Sequence, residues 1–153
     1  IGLRIERAIN TCRLARFFAP EDATADDLDV MLDLIDSQIT YRSRYVTGAM
    51  RDPALDLVLL DPDNPRSLIF QLMTITGHIE ALPALNEDAL PEPTLLAARA
   101  ILAPLASLSV EALDDDILQQ TETRLLALSE LVSARYFLHY EKNADRVKAD
   151  LLA

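Results

Sequence analysis

Eight polar residues stand within or beside apolar stretches of the sequence: Glu6, Arg7, Asn10, Arg42, Arg66, Arg135, Tyr136 and His139. The arginines among them carry planar, permanently charged forks that match the oxygens of carboxylates and phosphates. Gathered in one place, they would bind an anion, with Tyr136 and His139 at the rim and Glu6 or His139 able to handle a proton. Spread between packed helices, the same residues would form ion pairs that hold the helices in register, with Glu6 answering Arg42 or Arg66. Simple surface exposure is the third reading. Arg66 is the pointed case, within the run NPRSLIFQL. Asn64 can cap a helix and Pro65 suits its first position, which puts Arg66 in the first turn. There the helix dipole disfavours a cation by about 0.3 to 1 kcal/mol. An arginine tolerates this if it turns back to an acid, and Glu6 is the expected partner.

Helices must position all of these groups. The spacing predicts a helix from Gly2 to Phe18, with Ile5, Ala8, Ile9, Cys12 and Ala15 on one face. Leu3, Leu14 and Phe17 lie on the other side, so this helix is expected between neighbours, with Glu6 and Asn10 partly buried. Thr24 and Asp27 form a capping box that starts a helix reaching about Val46. Its stripe, Leu28, Met31, Leu32, Ile35, Ile39 and Val46, points Arg42 inward and Arg44 outward. A short helix after Pro53 ends at Asp61-Pro62-Asp63, and the helix capped by Asn64 reaches about Leu82. A proline-marked connection from Pro83 precedes a helix from Thr94 to about Leu108, bent at Pro104. The last helix runs from Ile117 to about Tyr140, where Arg135, Tyr136 and His139 continue the stripe of Leu118, Leu125, Leu128 and Val132. The expected fold is all-α, a mostly antiparallel bundle of five to seven helices in a single domain over residues 1–153.

Composition narrows the function. A chain of 153 residues can bury about two thirds of its unfolded surface, and 3 Gly with no Trp and abundant Leu and Ala favour helix. A net charge of −11 argues against a nucleic-acid partner. The most apolar run, from Thr94, is broken by Arg99 and Pro104, so no membrane span is expected. Cys12 is the one cysteine, which points to a reducing compartment, the cytoplasm, and reads as a core thiol rather than a nucleophile. No glycine-rich phosphate cradle is present, so no nucleotide cofactor is expected. His78 and His139 fit no metal motif, and Asp114, Asp115 and Asp116 read as complements to a helix dipole rather than a metal site. Of the basic residues 12 are Arg and 2 are Lys, the usage of a GC-rich genome or of buried ion pairing. The chain opens at Ile1 inside a helical pattern, as a piece of a longer protein would.

The runs GLRIERAINTCRLARFF, LIDSQITYRSRY, LDLVLLDPDNPRSLIFQL and LVSARYFLH resemble the alpha-E family of bacterial all-helical domains. Glu6-Arg7 matches the family's Glu-Arg motif, Tyr41 to Tyr45 its tyrosine-arginine segment, and Asn64 to Ser67 with Gln71 its NPRS segment. Ile9 departs from the pattern, standing where an acid is common. The resemblance implies that this chain corresponds to the C-terminal half of a longer helical domain. A half would leave one helix face bare, and a homo-oligomer is expected on that ground. The resemblance also implies a fused or neighbouring circularly permuted ATP-grasp ligase, and transglutaminase-like proteins, as partners. The expected role is a noncatalytic accessory module of a peptide or amide ligase. A helical enzyme with an arginine-lined anion pocket and a plain oligomerisation domain are the alternatives.

Overall fold

A computed structural model describes residues 1–85 and 90–137. Among them the chain forms seven α-helices, two π-helical turns, one 3-10 turn and no strand. The expected all-α bundle is what forms. Helix α1 (Gly2–Phe18) packs between α7 (Asp115–Val132) and α5 (Leu68–Glu80), and α6 (Pro93–Ala106) closes the ring by touching both α5 and α7. Beside this four-helix group lie α2 (Ala25–Leu34), α3 (Gln38–Arg44) and α4 (Arg51–Leu55), with α4 continuing into a π turn at Asp56–Leu60. That turn buries Leu57, Val58 and Leu59 in succession.

Small side chains explain how α1 serves two large neighbours. Ala8, Cys12 and Ala15 are fully buried, so α5 and α7 approach its backbone along one wide arc. The opposite face stays open: Leu3 and Phe17 are 62% and 76% exposed, and Glu6 and Asn10 are exposed as well. The expectation that Glu6 and Asn10 are partly buried is thus corrected, because α1 needs only one face to meet its neighbours.

Ion pairs clasp α1 to α7. Arg16 donates to both Asp115 oxygens at 2.7 and 3.0 Å, and Arg13 reaches Glu122 at 2.7 Å. Asp114 caps α7 by accepting from the Ile117 N–H at 2.7 Å, so the acid run at this helix start is a cap and an ion-pair partner. The Arg16 hydrogen bond holds the Asp115 carboxyl below the usual carboxylate range. Its contribution is therefore present above that range and is lost as pH falls through the folded-state value. Burial, with the Glu122 charge adding to it, pushes the Cys12 thiol up to about 12. Cys12 is a protonated core residue at neutral pH.

The helix expected from Thr24 to Val46 is two helices. The capping box at Thr24 and Asp27 forms as read, but α2 ends at Leu34. Asp36 adopts a left-handed φ of 54°. The Asp36 N–H then donates to Asp33 O at 3.0 Å and the Ser37 N–H to Leu32 O at 2.8 Å, the pairing of a Schellman cap. When helix resumes at Gln38 its phase has shifted, so Tyr41 faces the core at 1% exposure. Arg42 is exposed and Ile39 is 86% exposed. The inward assignment of Arg42 is overturned for this reason. Arg44 is outward, as expected, and pairs with Asp61.

Candidate functional site

The segment from Asp61 to Ser67 is held from every side. Asn64 is 2% exposed; its amide donates to Leu57 O at 2.9 Å and to Ser37 Oγ at 3.2 Å, while its Oδ1 accepts from the Arg66 N–H at 3.1 Å. Ser67 donates to Asp61 O at 2.6 Å and accepts from the Phe70 N–H at 3.1 Å, which makes it the cap of α5. Gln71 is buried one turn on; it donates to Pro65 O at 2.7 Å and accepts from Arg4 Nη1 at 3.0 Å. Arg4 also lies over the Phe70 ring, 5.8 Å from its centroid. Buried amides and hydroxyls spent on one short loop fix its backbone against α1, the α2–α3 junction and α5.

Arg66 is the charged side chain that this loop presents. It stands before the Ser67 cap rather than inside the first turn of α5. Its partner is Asp36, at 3.3 Å, and not Glu6. The left-handed turn at Asp36 aims that carboxylate back over the loop, which no continuous helix would do. Both side chains are substantially exposed, at 42% and 70%, so the pair is weakly held.

Arg66, Asp36 and Gln71 form one wall of an open cleft of about 190 Å³, and Arg7 and Asn10 of α1 form the facing wall. Leu14 and Leu34 supply apolar surface within it. Among the described residues the Arg7 guanidinium has no ion pair. The charged lining residues are two cations and one acid, a local excess of one positive charge on an acidic protein. The guanidinium forks match the oxygens of a carboxylate or phosphate. Arginine does not deprotonate, and Asp36 is the one carboxylate in the lining.

The eight polar residues singled out by sequence therefore divide. Arg7, Asn10 and Arg66 come together; Glu6, one position before Arg7 and about 100° round the helix, does not line the cleft. Arg42 is exposed on α3 and does not line it either. Arg135 belongs to a structural pair: its Nε reaches Glu92 Oε2 at 2.9 Å, and the Glu92 side chain is 8% exposed. This bond ties the π turn Ser133–Phe137 to the start of α6. Arg135's neighbour Tyr136 faces a separate, mostly apolar cavity of about 310 Å³ with Ile5, Val132 and Phe137, where its buried hydroxyl has no hydrogen-bond partner among the described residues. His139 lies outside the described residues.

Sequence reasoning missed Asp36 and the buried role of Asn64. A charged Arg42 in the middle of an apolar stripe was the available sign that the helix phase breaks before it. Among the described residues no three His, Cys, Asp or Glu side chains gather as a metal site, and no helix is long and apolar enough to cross a membrane.

Comparison with known proteins agrees with this arrangement of motifs. Residues 1–137 match Alpha-E, described as a predicted alpha-helical domain with a conserved ER motif. Uncharacterised proteins of Mycobacterium bovis and of two Mycobacterium tuberculosis strains, CDC 1551 and H37Rv, are 31% identical over 99 residues. The match takes in 60% of this chain and 11% of each relative, so the chain spans about a tenth of the length of these proteins. No solved structure matches. With its Glu6-Arg7 motif on α1 and the match running from the first residue to the end of the last described turn, the chain belongs to the Alpha-E family.

Proposed function

We propose that this chain is a noncatalytic accessory module of an ATP-grasp peptide or amide ligase system, which holds the ligase or its acidic substrate in position. The observation that carries this reading is the meeting of Arg7 with Arg66 and Gln71, motif residues from two distant segments, in one open cleft. A rigid loop presents a cation there, and the lining can grip an anion with two guanidinium groups. The resemblance to domains fused to, or encoded beside, circularly permuted ATP-grasp ligases supplies the system. The mycobacterial relatives extend far beyond the matched region, as expected of a unit that works alongside other domains. The enzyme alternative relied on Glu6 or His139 to handle a proton beside the arginines; Glu6 does not line the cleft, and His139 lies outside the described residues.

The test is physical association. The purified chain, mixed with the ATP-grasp ligase encoded with it, is expected to elute as a complex in size-exclusion chromatography and to hydrolyse no ATP alone. Separate elution across high micromolar concentrations, or ATP turnover by the chain by itself, would overturn the proposal.

A further inference from the structure

We infer that the cleft between Arg7 and Arg66 takes the carboxylate end of an extended ligand, an acidic side chain or a main-chain terminus. This rests on the accessory reading only for its biological purpose; the binding is a property of the chain itself. Size gives the first argument. A volume of about 190 Å³ holds roughly six waters' worth of ligand, below the range of sites that enclose a whole small molecule. It fits an end group whose remainder lies outside.

Charge gives the second. Arg7 and Arg66 against Asp36 leave one net positive charge in the lining, which one carboxylate neutralises. A doubly charged phosphate would leave an excess negative charge beside Asp36. Geometry gives the third. The Arg66–Asp36 pair is exposed and weakly held, so an incoming carboxylate can take over the Arg66 fork at little cost. Arg7 has no ion pair to give up, and the exposed Asn10 amide adds a neutral donor on the same wall. Leu14 and Leu34 meet the aliphatic carbons behind the carboxylate. Buried Asn64, Ser67 and Gln71 keep the loop in place before any ligand arrives, so little ordering is needed on binding.

The experiment titrates the 153-residue chain with the α-amide of acetyl-glutamate, acetyl-alanyl-alanine and inorganic phosphate at pH 7.5, following arginine Nε–H and asparagine amide signals by NMR. Saturable shifts at Arg7, Arg66 and Asn10 are expected with at least one of the two carboxylates, and the tighter one identifies an acidic side chain or a chain terminus as the source. Arg7→Met and Arg66→Met should each weaken binding tenfold or more, with unchanged melting temperature. Arg42→Met, which removes another exposed arginine away from the cleft, should leave binding unaltered. Asp36→Asn keeps a residue that accepts the left-handed conformation and should tighten carboxylate binding about fivefold by removing the competing charge. Absence of saturable shifts, a preference for phosphate over both carboxylates, or an equal loss in Arg42→Met would overturn the inference. These outcomes are independent of whether the ligase binds.

Discussion

Asn64→Asp is expected to cost about 3 to 5 kcal/mol at neutral pH, although it changes one amide nitrogen to oxygen. The Asn64 amide donates to Leu57 O and Ser37 Oγ from a site that is 2% exposed. A carboxylate there would face the Leu57 carbonyl with two acceptors and no donor, buried and without a cation. The new acid would titrate above its ordinary range, since burial and the facing carbonyl disfavour its charge. A raised folded-state value means that stability is retained at low pH, where the acid is protonated and can donate to Leu57 O, and is lost as pH rises through that value. Urea melts from pH 4 to 8 should therefore show the variant approaching wild type at the acid end and diverging toward neutrality. A variant as stable as wild type at pH 7 would show that the loop does not depend on this amide.

Tyr41→Ala and Arg42→Ala should differ widely. Tyr41 is buried, its ring lies 4.7 Å from that of Tyr45, and its hydroxyl accepts from the Met50 N–H at 2.9 Å. Truncation opens a cavity and orphans a backbone donor, at about 3 to 5 kcal/mol, or on the order of 10 °C in melting temperature. Arg42 is exposed, and its removal should stay within about 0.5 kcal/mol. Thermal melts of the two variants decide the matter; a larger loss from Arg42→Ala would restore the uninterrupted helix.

This pair of neighbours also shows where the sequence was legible. Periodicity placed α1 from Gly2 to Phe18, the capping box at Thr24 and the buried stripe of α7, since each depends on contacts within a turn or two. The break at Asp36 carries no glycine or proline, so its only sign was the charged Arg42 further along the stripe; it is stabilised by a Schellman cap that an aspartate can enter at modest strain. Asn64 and Ser67 are both good caps, and local preference does not separate them. Ser67 is the cap because its Oγ accepts from the Phe70 N–H, whereas the Asn64 Oδ1 accepts from the Arg66 N–H ahead of the helix and its amide is held by Leu57 and by Ser37, far back in the chain. The same long-range dependence hid the site. Arg66 finds Asp36 only after the chain has turned twice, and Arg7 faces them only because α1 packs on α5. The motif residues were readable one segment at a time; their meeting was not.

In the proposed function this cleft serves a ligase by holding its acid substrate. The most direct measurement is the ligase's KM for that substrate with and without the chain. Wild-type chain should lower it, and Arg66→Met chain, which keeps its fold, should not, while the KM for ATP stays the same in all three. A ligase whose kinetics ignore the chain, or respond equally to wild type and Arg66→Met, would contradict the account.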